Sequence, residues 1–179
     1  MQNQENLKYP IGTFVKPLSI TENHIKVWIL EIERFSDKIK LVTSALQENQ
    51  LNYCYRENGW TIKQVVHHCA DSHLHAYIRM KLAQTQVLPV INPYNEALWA
   101  NLIDANHNVI APSIAIIDGL HKRWSLFLKN LNSQDLKREF YHPESNENVS
   151  IETAIGLYAW HCNHHLAHIN LALLNEGNF

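Results

Sequence analysis

The chain has 179 residues, enough for one domain with a substantial core, and reads as a single domain over 1–179. Lys and Arg total 15 against 17 Asp and Glu, a formal charge of −2, which excludes a nucleic-acid binder held by phosphate contacts. The opening ten residues carry no apolar run and nowhere do about eighteen apolar residues follow one another. Neither a secretory leader nor a membrane span is therefore expected, and the protein is expected to be soluble and cytoplasmic.

The first long helix is predicted over 20–46, where Ile25, Trp28, Ile29, Ile32, Phe35, Ile39, Val42 and Leu46 recur every three or four positions. Ser19-Ile20-Thr21-Glu22 reads as its capping box. A second helix follows Gly59-Trp60 over 61–83, opened by a capping box of Thr61 and Gln64. Pro89 and Pro93 bracket a loop, and Asn92-Pro93 is expected to start a short helix through Trp99 and Leu102.

A third long helix is predicted over 112–131, carried by Ile114, Ile117, Leu120, Trp124, Phe127 and Leu131. Phe140-Tyr141-His142-Pro143 with Val149 and Ile151 suggests a small hairpin, and His142-Pro143 reads as no more than its turn. The fourth helix begins near Ile151 with Ser150 as its cap and ends before Gly177. Four amphipathic helices around one core predict an all-α four-helix bundle with long connecting loops, one of which could roof a site.

Twelve histidines are the outlying feature of the composition. Four of them fall within Trp160-His161-Cys162-Asn163-His164-His165-Leu166-Ala167-His168, inside the fourth helix. Residues four apart lie one above the other on a helix, so His161 and His165 can share an ion, and His164 and His168 form a second pair. Stepping about 100° per residue from the stripe of Ile151, Ile155, Cys162, Ile169 and Leu173 turns His161 and His165 inward. The same count sends His164 toward solvent or a neighbouring subunit.

A catalytic zinc usually takes three protein ligands. The second helix is the source of a third, in Val65-Val66-His67-His68-Cys69-Ala70-Asp71-Ser72-His73. Periodicity slightly favours His73, with His67 and His68 flanking it on opposite sides; otherwise His73 is a core histidine bonded to another helix. Cys54, Cys69 and Cys162 form no Cys-x-x-Cys pair, and Cys162 reads as a small buried apolar residue. His121, Arg123 and Trp124 are further residues considered for the site mouth, although Trp124 reads more simply as core and Arg123 as a surface cation.

The segment from Gly59 to His73 resembles the DinB/YfiT-like family, in its branch of metal-dependent hydrolases. So do Tyr9-Pro10-Ile11-Gly12, Leu120-His121-Lys122-Arg123-Trp124, Phe140-Tyr141-His142-Pro143 and Tyr158-Ala159-Trp160-His161, in order along nearly the whole chain. The resemblance implies a four-helix bundle, often a homodimer, holding one divalent metal by three histidines. Carried across by motif, those ligands are His68, His161 and His165. Zinc is the expected ion and nickel the second choice.

Such an ion lowers the pKa of bound water to about 7, which suits hydrolysis, and it also ionises a thiol. The resemblance therefore implies a metal-dependent hydrolase acting on a small molecule. The alternative is a thiol S-transferase that uses a low-molecular-weight thiol such as bacillithiol against electrophilic, toxic compounds. A non-catalytic metal-binding stress protein is the third reading. No carboxylate base of the His-Glu-x-x-His kind accompanies the ligands, and Asp71 is a poor substitute.

Overall fold

In a computed structural model, residues 4–179 are described. The apolar stripes predicted above become four long helices: α2 (Glu22–Thr43), α3 (Ile62–Thr85), α5 (Ala111–Lys129) and α7 (Ile151–Leu174). Short helices α1 (Gln4–Lys8), α4 (Glu96–Trp99) and α6 (Ser133–Leu136) lie in the connections, with a single 3₁₀ turn at Gln50–Asn52. Strands β1 (Glu139–His142) and β2 (Glu147–Ser150) pair antiparallel, with Phe140 opposite Val149. The hairpin expected before the last helix is present, and Pro143 falls in its turn.

Two helix starts differ in detail from the sequence reading. The α2 box is made by Thr21 and His24 instead of Ser19 and Glu22: Thr21 Oγ1 accepts from His24 N–H, and His24 Nδ1 accepts from Thr21 N–H, both at 3.2 Å. An imidazole here takes the place of the usual Glu or Gln. The short helix after Pro93 starts only at Glu96, because Asn95 supplies the cap by accepting from Leu98 N–H at 2.9 Å, and it stops at Trp99. The Thr61–Gln64 box of α3 is as expected, with Gln64 Oε1 accepting from Thr61 N–H at 2.9 Å.

Around the bundle, α2 packs on α5 and α7, and α3 packs on the same two helices from the other side. Consecutive long helices α2 and α3 are thus diagonal, as are α5 and α7. Phe35, Ile32, Ile39, Met80, Ile117, Trp124, Ile155 and Ile169 fill the centre. At one end, the 86–95 loop is stitched to the hairpin: Tyr141 N–H donates to Pro89 O at 2.9 Å and Ile91 N–H donates to Tyr141 O at 3.1 Å. No helix among the described residues is long and apolar enough to cross a membrane.

Candidate metal centre

Because α3 and α7 are neighbours, the histidines of both face a common space. His161 and His165 stand one turn apart on α7, and His68 reaches them from α3. His161 Nε2 lies 3.2 Å from His68 Nε2 and 3.1 Å from His165 Nε2. Two nitrogens of a tetrahedral zinc site, each about 2.0–2.1 Å from the ion, are about 3.3 Å apart. His161 Nε2 thus stands from each of the other two Nε2 atoms at close to the spacing that one divalent ion requires, all three ligand nitrogens lie within 4.8 Å of one another, and the donor set fits the group.

The electrostatics agree with ligand duty, which needs neutral rings. Burial holds the His68 pKa down to about 4, with His164 adding to the effect. Burial first, and then neighbouring imidazoles, holds His161 and His165 well below the usual histidine value. The Trp60 ring packs beside His68, its centroid 4.7 Å away.

A second histidine-rich group, His73, His121 and Cys162, lies deeper in the bundle and is wholly buried. Its nitrogens are differently arranged. His73 Nδ1 and His121 Nε2 are 2.8 Å apart, a hydrogen bond and too short for two ligands of one ion. His121 Nδ1 donates to the Ile32 carbonyl at 2.5 Å, and His73 Nε2 contacts His161 Nδ1 at 2.9 Å. Burial pushes the Cys162 thiol well above its normal pKa, in keeping with an apolar role.

The remaining histidines sort by contact. His67 bonds Ser113 Oγ at 2.8 Å and the His107 carbonyl at 3.0 Å, which ties α3 to α5 and the preceding loop. His164 does not face solvent, contrary to the helical count: it is 7% exposed and stacks on Trp160 with centroids 4.4 Å apart. The N-terminal segment causes this by lying along the outer face of α7. Trp160 Nε1–H donates to Gly12 O at 3.1 Å, His168 Nε2–H donates to Lys8 O at 3.1 Å, and Tyr9 packs near His164. A stripe drawn from the bundle interface cannot register a cover supplied from elsewhere in the chain.

The three-imidazole group opens on a cavity of about 340 Å³. Its wall includes Arg56, Arg79, Tyr94, Glu96, His142 and Glu144. His142 is thus the last residue of β1 and part of the cavity wall, where the sequence reads as only a turn. Asp71 is absent from the wall; it is half-buried, and burial together with Asp104 raises its carboxyl pKa. The cavity carboxylates Glu96 and Glu144 sit in connections whose folding onto the site left no periodic signal. Arg123 is exposed over Tyr77, Trp124 is core, and His121 is interior, so none of these lines the mouth. A larger groove, about 590 Å³, runs along α2 by Ile25 and Leu128, but it offers no histidine.

A helical bundle with a histidine-lined cavity is the class that fold and site define. Residues 31–169 match the DinB superfamily, and the chain belongs to it. It is 43% identical over 164 residues to "Putative metal-dependent hydrolase YfiT" of Bacillus subtilis, covering 92% of each protein. A protein of Oceanobacillus iheyensis, also named a "Putative metal-dependent hydrolase", is 50% identical over 164 residues, or 92% of this chain and 94% of that one. The solved structure of Bacillus subtilis YfiT superposes with a TM-score of 0.93 at 42% identity, covering 96% of this chain and 98% of that one. It is described as a probable metal-dependent hydrolase with an unusual four-helix bundle topology.

Proposed function

We propose that the protein is a metal-dependent hydrolase of small molecules, with one divalent ion, zinc in the first instance, held by His68, His161 and His165. The observation that carries this reading is the 3.1 and 3.2 Å spacing of three neutral Nε2 atoms at the floor of an open cavity. A divalent ion in such a shell acidifies water and polarises an electrophilic carbonyl or related group. The protein's own residues bind and orient. Arg56 and Arg79 bring two guanidinium cations to the cavity wall, which suits a substrate bearing anionic or strongly accepting groups. Glu96 and Glu144 offer carboxylates able to accept a proton from water in general-base fashion.

Thiol transfer is the second reading. The volume of the cavity supports it, because about 340 Å³ accommodates a multi-atom thiol beside an electrophile. A panel of esters and amides, and of thiol–electrophile pairs, tested on zinc-loaded and chelator-stripped protein decides between them. Metal-dependent release of an acid and an alcohol or amine supports the hydrolase. Consumption of thiol with no water added replaces it with the transferase, and zinc bound without turnover of either class leaves a binding protein. We further propose a homodimer in the cytoplasm, with light scattering on purified protein as the check on the dimer.

A further inference from the structure

We propose that His73, His121 and His168 are positioning residues: two imidazole relays, each anchored on a backbone carbonyl, fix the tautomers of His161 and His165 so that both present a bare Nε2 to the ion. The proposal rests on the reading of His161 and His165 as ligands.

The argument begins at the carbonyls, which only accept. Ile32 O lies 2.5 Å from His121 Nδ1, so that nitrogen carries the proton. A neutral ring has one N–H, so His121 Nε2 is a lone pair, and His73 Nδ1–H must donate to it across 2.8 Å. His73 Nε2 is then the acceptor for His161 Nδ1–H at 2.9 Å. What remains on His161 is an unprotonated Nε2, pointing at His68 and His165.

The second relay runs separately. Lys8 O accepts from His168 Nε2–H at 3.1 Å, which leaves His168 Nδ1 bare. His165 Nδ1 faces that atom at 3.4 Å and is the only one of the pair able to donate, which frees His165 Nε2. Two independent chains of contacts thus deliver the same tautomer at the same point. The outcome is not the default, because an unconstrained histidine side chain in water favours the Nε2–H form and would aim a proton at the ion.

Ligand imidazoles commonly donate their second N–H to a carboxylate, carbonyl or water. Here the recipient is another imidazole, and the carbonyl stands one or two rings further back. His73 is fully buried and His168 is 2% exposed, so neither ring can take its bond from bulk water.

The test is long-range ¹H–¹⁵N correlation NMR on histidine-labelled protein, metal-free and titrated with zinc. His73 and His121 should report Nδ1–H and His168 Nε2–H in both states, while zinc shifts His161 and His165 at Nε2. His121→Phe should raise the Nε2–H population of His161 in metal-free protein and weaken zinc binding about 10–100-fold. His121→Gln, which can accept and donate, should recover part of that loss. His168→Leu should weaken zinc through His165, with the His73 and His121 tautomers unchanged.

Reversed tautomers in zinc-binding wild-type protein would overturn the proposal alone, as would wild-type affinity in both His121→Phe and His168→Leu. Zinc that leaves His161 and His165 unshifted would remove the ligand reading and the relay role together. The wild-type spectra decide even if a variant fails to fold.

Discussion

His73 Nε2 lies 2.9 Å from His161 Nδ1, which joins a fully buried imidazole of α3 to the ring whose Nε2 lies within 3.2 Å of the Nε2 atoms of both other members of the candidate centre. The stability of the core and the state of the site are therefore coupled through one hydrogen bond.

The three candidate ligand positions are not equivalent to their histidine neighbours. His68→Ala, His161→Ala or His165→Ala should each weaken zinc binding by more than about 100-fold, beyond the range for residues that only orient a ligand. His67→Ala, which loses bonds to Ser113 and His107, should retain zinc and lose stability instead. Isothermal titration with zinc, paired with urea melts, separates the two effects.

Acid should destabilise the metal-free protein. Burial holds the His121 pKa at about 4 in the folded state, against 6.5 for an unhindered ring. Between those values the unfolded chain binds a proton that the native state does not, so stability falls as pH drops through that window. Below about 4 both states are protonated and the loss stops. This single ring accounts for about 3 kcal/mol of the fall. Urea midpoints at pH 7 and pH 4.5 measure it, and His121→Phe should reduce the dependence while the other buried histidines keep the rest of it.

Metal binding should be visible in tryptophan emission. Trp60 stands 4.7 Å from His68 and 6.4 Å from His165, centroid to centroid, whereas Trp124 is in the core. Copper(II), which sits above zinc in affinity for nitrogen ligands, should quench fluorescence with a one-to-one endpoint. Trp60→Phe should lower the quenched signal, with Trp160 of the same cavity supplying the remainder, while leaving the endpoint in place.

The Arg79 guanidinium in the cavity wall predicts a preference among substrates. Once an ester or amide class is found, the member carrying a carboxylate should have the higher kcat/KM. Arg79→Gln should narrow the gap about 10-fold, chiefly through KM, as expected for loss of a charge-assisted hydrogen bond.

Much of this molecule is legible in its sequence, for identifiable reasons. The stripe from Ile25 to Val42 reports burial against other helices, and the Thr61–Gln64 box reports a local exchange of hydrogen bonds; both are short-range facts. The inward turn of His161 and His165 follows from the same periodicity. His68 does not, because α3 is buried on much of its circumference, and His67, His68 and His73 are all enclosed. Only the family resemblance singled it out. Glu96, Glu144 and His142 could not be read at all, since they reach the cavity through loops whose course depends on the 86–95 segment pairing with the hairpin. The diagonal placement of consecutive helices is likewise a property of the assembled bundle and has no local signal.

That placement ties the arrangement of the candidate centre to the assembly of the whole bundle. Ile32 sits on α2, His73 on α3, His121 on α5 and His161 on α7, so the longer relay crosses every long helix. A nascent chain whose last helix is still inside the ribosome exposes His68 alone, and a released C-terminal fragment would carry His161 and His165 without their carbonyl anchors. Neither piece unites the three candidate ligands with both carbonyl anchors, so the full arrangement exists only once all four long helices have packed.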